Sequence, residues 1–353
     1  MKGMGRGILC CAFLATASPG ESAPPYPRSE LLTGIKFHEE TLVHTAPGSD
    51  IWSCTWAAND KIYAAWGDGG GFGGSDSEGR VSIGVACLTG QPPEWKGANV
   101  WGGINPLSKQ PPTIGKGTMV AVEKLLYLCV SAQNKWNRCR LWKSADYGLS
   151  WQDRGWIFPE SHKMFAFPAW VEFGRAQKRN RDGYLYGLSD NDPARVNDRR
   201  LYLFRVKPKR MEDLKAYEYF SGTADAPRWS ADLADRKPVF ENPEGIGWGT
   251  TCVYHPATRR FLLSVSVHPD QGDWGLYESR HPWGPWKTVA YGDDFPTWTY
   301  APAEKSRPAY VHTFPSKWMS ADGKALWCVF DRGDHFNLAR CSLEIRTGAE
   351  RWH

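Results

Sequence analysis

The stretch NDKIYAAWGDG, residues 59–69, is a tight polar turn feeding an apolar, aromatic run that stops on a Gly-Asp-Gly break. The same order returns four times: EKLLYLCVSA from Glu123, RDGYLYGLSDND from Arg181, TRRFLLSVSVH from Thr258 and DGKALWCVFDRG from Asp322. Asp, Asn, Lys and Gly hold turns, while β-branched and aromatic residues suit a pleated surface, so each piece reads as a turn and a second strand. Their starts lie roughly 60 to 75 residues apart, the period of one small sheet per repeat. A further strand follows each: RVSIGVACL, RCRLWKSAD, RLYLFRVKP, WGLYESR and FNLARCSLEI. Five such units predict an all-β fold, a five-bladed β-propeller, with one short helix expected over residues 209–220.

SADYGLSW, residues 144–151, supports the propeller because it matches the sialidase-type Asp-box pattern S-x-D-x-G-x-x-W. Ser and Asp bond the turn's own backbone, Gly takes the awkward dihedral and Trp plugs the sheet. This is a fold element on the side away from the expected reactive end, and it says nothing about the reaction.

Composition narrows the function classes. Lys and Arg number 43 against 38 Asp and Glu, an excess too small and too scattered for a nucleic-acid footprint. Nineteen Trp serve packing first, but an indole face also stacks on the apolar face of a sugar. The N-terminus carries Lys2 and Arg6, an apolar run from Ile8 to Ala17 and then small residues. That is the pattern of a signal peptide over residues 1–23, so residues 24–353 are expected as a single catalytic propeller domain, secreted or periplasmic. No other run is long enough to span a membrane. Seven cysteines lie beyond the leader with no C-x-x-C pair, so neither a zinc knuckle nor a thioredoxin-like site is expected, and disulfide pairing stays open.

Folding residues 49–74 about Asn59 sets Thr55 against Tyr63, Trp52 against Trp66, and Asp50 against Asp68. Opposed side chains on antiparallel strands lie about 4.5–5.5 Å apart, so two like charges would share the open end of the hairpin. Two carboxyls about 5–5.5 Å apart are what a retaining glycosidase uses, one as nucleophile and one as acid/base. Repulsion and burial would hold one of them protonated near neutral pH. The plainer reading makes Asp50 a turn cap and Asp68 part of a glycine-rich loop. Overlaying the other four hairpins brings Lys116, Asp190, Trp248, His268, His312 and Arg332 to the same end, with Arg80 close by, as candidate substrate contacts; Asp331 falls there beside Arg332.

The phrases GSDIW and GDGGGF in the first hairpin, then FENPEGIGW, HPWGPWKTVAY and FPSKWMSADGKALWCVF, resemble a bacterial propeller family labelled a domain of unknown function. The likeness runs from about residue 38 to 345 of the chain and includes the repeat pieces above. Some relatives in that family are glycoside hydrolases, notably endo-D-arabinanases. The resemblance implies that Asp50 in GSD and Asp68 in WGD are the reacting pair, with Asp68 as nucleophile and Asp50 as acid/base. Where hydrolase relatives follow Gly-Asp with Thr and Phe, this chain has GDGGGFGG, so D-arabinan does not carry over as the substrate.

Gly69, Gly71 and Gly74 fit G-x-G-x-x-G, but a strand follows where a nucleotide fold needs a helix. The histidines have no metal-ligand spacing, and no metal or cofactor is expected. Three readings stand: a glycoside hydrolase acting on a polysaccharide or oligosaccharide; a polysaccharide lyase using His268 or His312 with Lys116 or Arg332; and a glycan-binding propeller without catalysis. The sugar, the linkage and the oligomeric state have no sequence signal.

Overall fold

The computed structural model describes residues 23–132, 138–159, 167–190, 198–247, 249–267, 273–292 and 311–346. The first strand is β1 (Leu32–Thr45). β2 (Asp50–Trp56), β3 (Ile62–Gly67), β4 (Ile83–Gln91) and β5 (Glu94–Trp101) form an antiparallel sheet in chain order. β6 (Gly115–Val122), β7 (Leu125–Ala132), β8 (Cys139–Ser144) and β9 (Gln152–Phe158) repeat it. β10 (Ala169–Glu172), β11 (Leu185–Ser189), β12 (Asp198–Val206) and β13 (Glu218–Phe220) do so again, with β14 (Trp229–Ser230) added beside β13 and β15 (Pro238–Ile246) beside β12. β16 (Thr250–His255), β17 (Arg260–Val267), β18 (Asp273–Ser279) and β19 (Lys287–Gly292) make a fourth run, joined to the third through the parallel pair β10–β16. β20 (His312–Thr313), β21 (Ala325–Phe330) and β22 (Phe336–Ile345) complete a fifth, and β1 returns to pair with β22 as its outer strand.

The protein is therefore all-β, and the five turn-plus-strand pieces of the sequence are β3, β7, β11, β17 and β21. The expected helix over residues 209–220 is absent. Two 3-10 turns, Pro208–Arg210 and Leu214–Ala216, precede β13 there. Asp213 caps the second turn by accepting from Lys215 N, and Tyr217 is buried with its hydroxyl on Met211 O. These local bonds compete with a continuous helical ladder.

Five apolar clusters hold the runs together, each filled from two of them. Trp101 and Val85 pack on Leu128 and Val130, Leu141 and Phe158 on Leu185 and Phe204, and Leu188 and Tyr186 on Leu263 and Tyr277. Leu262 and Leu276 then meet Phe330 and Leu343, and Trp52 and Trp66 meet Val329 and Leu338. The last cluster joins the fifth run to the first, so the packing makes a circuit.

The first strands of the runs are tied by side-chain hydroxyls. Met119 N donates to Ser53 Oγ (3.2 Å) and Ala121 N to Thr55 Oγ1 (2.9 Å). Thr118 Oγ1 donates to Pro168 O (2.6 Å), Thr251 Oγ1 to His312 O, and Thr313 Oγ1 to Trp52 O (3.3 Å). Between these strands lies a cavity of about 40 Å³, lined in part by Ser53, Thr118, Thr250 and Glu172. Glu172 accepts from the Ser316 hydroxyl, and its carboxyl is pushed up to about 7, mainly by burial and despite the Ser316 hydrogen bonds.

Two measurements check this framework. Thr55→Val leaves the buried Ala121 N–H without an acceptor and is expected to cost about 1–3 kcal/mol in urea unfolding. Glu172 binds its proton more tightly folded than unfolded, so its contribution is fully present below the ordinary value of 4.5 and is lost as pH rises through about 7. Glu172→Gln should flatten that decline in a pH series of melting temperatures; an unchanged slope would assign the decline to other groups.

Candidate functional site

Because alternate strands run in opposite directions, the starts of the first strands and the ends of the second strands share one end of the molecule. The hydroxyl ties set the level of each strand there. Ser53 meets Met119 and Thr55 meets Ala121, so Asp50 and Lys116, each three residues earlier, stand side by side.

The expected pairing of Asp50 with Asp68 is corrected by one residue. Thr55 faces Tyr63 and Ser53 faces Ala65 as expected, but Asp50 faces Gly67, because β2 carries an extra residue. Ile51, at φ +54°, is the bulged position. Asp68 follows β3, also in the left-handed region at φ +54°, which Asp tolerates better than most residues.

The two aspartates nevertheless converge, on a lysine. Lys116 Nζ lies 2.8 and 3.0 Å from the two oxygens of Asp50 and 2.8 Å from Asp68 Oδ2. The nearest carboxyl oxygens are thus no farther apart than twice 2.8 Å. Gly67 makes room for this contact: a Cβ there would lie 2.3 Å from Lys116 Cδ and 2.5 Å from Asp50 Oδ1. Arg80 NH2 stands 3.3 Å from the same Asp68 oxygen, and Arg80 is also paired with Asp76.

Exposure separates the pair. The Asp50 side chain is 14% exposed and that of Asp68 36%. Burial pushes the Asp50 carboxyl up to about 7; Lys116 pulls it back, and Asp331 and Asp68 push it further. Asp331 is buried at the end of β21, where Oδ2 accepts from Ile51 N (2.7 Å) and Oδ1 from Val311 N (3.0 Å).

The glycine-rich loop after Asp68 is fixed from below. Ser49 Oγ accepts from Gly71 N (3.0 Å), and Asn99 accepts from Phe72 N (2.9 Å) while donating to Gly70, Phe72 and Ile104 carbonyls. Trp66 lies under it, so close that a Cβ on Gly71 would meet its ring at 2.6 Å.

Of the other sequence candidates, Asp190 follows β11 at this same end and is buried. His312 opens β20 and Arg332 follows β21; both are buried. The imidazole is held down to about 3 by burial first and by the Arg332 charge second, and its ring lies 5.6 Å from that of Trp274. Trp248 and His268 lie outside the described residues. Asp331 occupies the Asp68 position of the fifth hairpin, where the overlay sets it beside Arg332; the overlay gives it no role, and the structure gives it two backbone amides to hold.

Among the described residues no group of three or more His, Cys, Asp or Glu side chains is placed to hold a metal ion. What the arrangement offers is proton transfer and nucleophilic attack: one enclosed carboxyl poised near neutrality, one more open carboxylate, and a cation between them.

A protein of Bacteroides ovatus shares the fold at TM-score 0.50 and 11% identity, over 83% of this chain and 85% of that one. The α-L-arabinofuranosidase of Podospora anserina, in complex with cellotriose, does so at TM-score 0.50 and 10% identity, over 90% of this chain and 96% of that one. At such identities the likeness is one of fold. No curated protein matches the chain. A family model described as a domain of unknown function, DUF4185, matches residues 112–328, a span that holds Lys116 and lies between the Asp50–Asp68 hairpin and Asp331. With more than half of its length matched, the chain belongs to the DUF4185 family.

Proposed function

We propose that the protein is a glycoside hydrolase that cleaves a polysaccharide or oligosaccharide by a two-aspartate retaining mechanism on a five-bladed β-propeller. The observation that carries this is the convergence of Asp50 and Asp68 on Lys116 Nζ. Two carboxyls bridged by one ammonium, with nearest oxygens at most twice 2.8 Å apart, support the close spacing of about 5–5.5 Å that a retaining pair uses. The five antiparallel runs, their circuit of packing and the return of β1 to β22 support the blade assignment, with the turn over residues 144–151 as an Asp-box. The arabinofuranosidase of the same fold supports a sugar substrate. Residues 1–23 we read as an export leader, which suits an enzyme meeting extracellular glycans.

In this reading Asp50, protonated, donates to the departing glycosidic oxygen while the Asp68 carboxylate attacks the anomeric carbon. The sugar–oxygen bond breaks as the ester to Asp68 forms. Asp50, now ionised, takes a proton from water, which attacks the anomeric carbon, breaks its bond to Asp68 and releases the carboxylate. Lys116 faces one negative charge before the first step, on Asp68, and one after it, on Asp50. The ammonium therefore offsets charge in both states without moving, which keeps the reorganisation cost of the step small.

Activity, its pH dependence and variants of the site test this. On a panel of plant, algal and bacterial polysaccharides, wild-type protein should release reducing ends without the ultraviolet absorbance of a lyase product. Asp50→Asn should lower the rate by about 10²–10⁴-fold and Asp68→Asn by at least as much; absorbance that survives in both variants would move the chemistry elsewhere. The rate should fall as pH rises through about 7, where Asp50 loses its proton. Lys116→Met removes the cation that pulls Asp50 down, so its alkaline limb should move to higher pH. Gly67→Ala, which crowds Lys116 out of the gap, should shift the limb the same way while leaving the fold intact, as read by circular dichroism.

A further inference from the structure

Ile51 adopts a conformation that its residue type avoids. At φ +54° a β-branched side chain crowds its own backbone, and bulges of this kind usually place glycine there. The side chain is also 99% enclosed, so it cannot relax into solvent without exposing apolar surface. Something must hold the backbone in place, and Asp331 is positioned to do so. Its two oxygens take the amides of Ile51 and Val311, one from the first run of strands and one from the lead-in to β20. Such charge-assisted bonds to backbone are among the stronger hydrogen bonds.

We propose that Asp331 is a positioning residue: it clamps the strained Ile51 bulge, and the bulge aims the Asp50 carboxyl at Lys116 and Asp68. Without the extra residue Asp50 would sit opposite Asp68 in the ladder; with it, Asp50 meets Gly67, which has no side chain to obstruct Lys116. Asp331 acts a second way, through its charge. The groups facing Asp50 are Lys116 from β6, Asp68 beyond β3 and Asp331 beyond β21, and of these the two carboxylates favour its protonated form. The clamp would thus both orient the proposed acid and help keep its proton on. This rests on the reading of Asp50 and Asp68 as the reacting pair, but its test does not need turnover.

The first measurement is amide hydrogen exchange in the wild-type protein. Ile51 and Val311 should exchange as slowly as the strand cores; exchange at loop rates would overturn the clamp. The second is a double-mutant cycle of melting temperatures with Ile51→Gly and Asp331→Asn. Glycine accepts φ +54° unaided, so Asp331→Asn should cost less in the Ile51→Gly background than in wild type, whereas additive losses would mean that strain and clamp are unconnected. The third is a carbon NMR titration of the Asp50 carboxyl, which a merely structural role would leave unmoved. Asp331→Asn should shift it to lower pH, with Asp331→Glu restoring it; no shift would remove the charge effect. A wild-type protein that cleaves no glycan would sink the hydrolase reading while all three results on the clamp still stood.

Discussion

The structure depends on how its first strands are held against one another. They line a small cavity with mixed polar and apolar walls, and hydroxyl ties to the backbone fix their stagger there. Ser53 and Thr55 each take an amide of β6, while Thr118, Thr251 and Thr313 give a hydrogen to a carbonyl of the next strand or its lead-in. A buried N–H without its acceptor loses more than the bond was worth, so each tie admits one register. One residue of slip between β2 and β6 would carry Lys116 away from Asp50. The contact that organises the site is therefore a consequence of two hydroxyls placed three and five residues further along β2.

Room is the second requirement, and glycine supplies it at specific points. Gly67 leaves the space that the lysine stem fills, and Gly84 and Gly71 let the Trp66 ring lie flat beneath the loop. Trp66 in turn stacks on Trp52 at 5.4 Å between ring centres, tying the loop floor to the cluster shared with the fifth run. Two of the tryptophans that make this composition unusual, Trp52 and Trp66, thus seat the site, while Trp101 and Trp274, equally without exposed surface, fill the packing between runs.

The repeat was legible in the sequence because turn chemistry and strand periodicity are local, and all five turn-plus-strand pieces fold as such. The stretch over residues 209–220 misled because its Asp213 and Tyr217 make side-chain bonds that helical periodicity does not register. The register error at Asp50 has a different origin. A bulge is usually announced by glycine, and here an isoleucine holds the position, stabilised by a carboxylate 280 residues away in the chain. Nothing within the hairpin could signal it. Lys116 was visible as a neighbour of the aspartates, but its place between them needed the stagger of two sheets. Asp331 was visible at the same end as Arg332, but its role was not, because buried acids bonded to backbone amides have no pattern of their own.

Among the described residues two buried acids are pushed up to about 7, and one of them belongs to the site. Glu172 is closed off by Ser316 at the cavity between the first strands, and the Arg179 charge only partly offsets its burial. Its raised affinity for a proton is a consequence of burial, which the fold tolerates by keeping the group neutral. Asp50 has the same raised affinity, but it stands beside a more open carboxylate and a lysine that can take up its charge when the proton leaves. A perturbed acid becomes useful where the charge it sheds or gains is already matched by a neighbour that also faces a second carboxylate, and Lys116 supplies that match at Asp50.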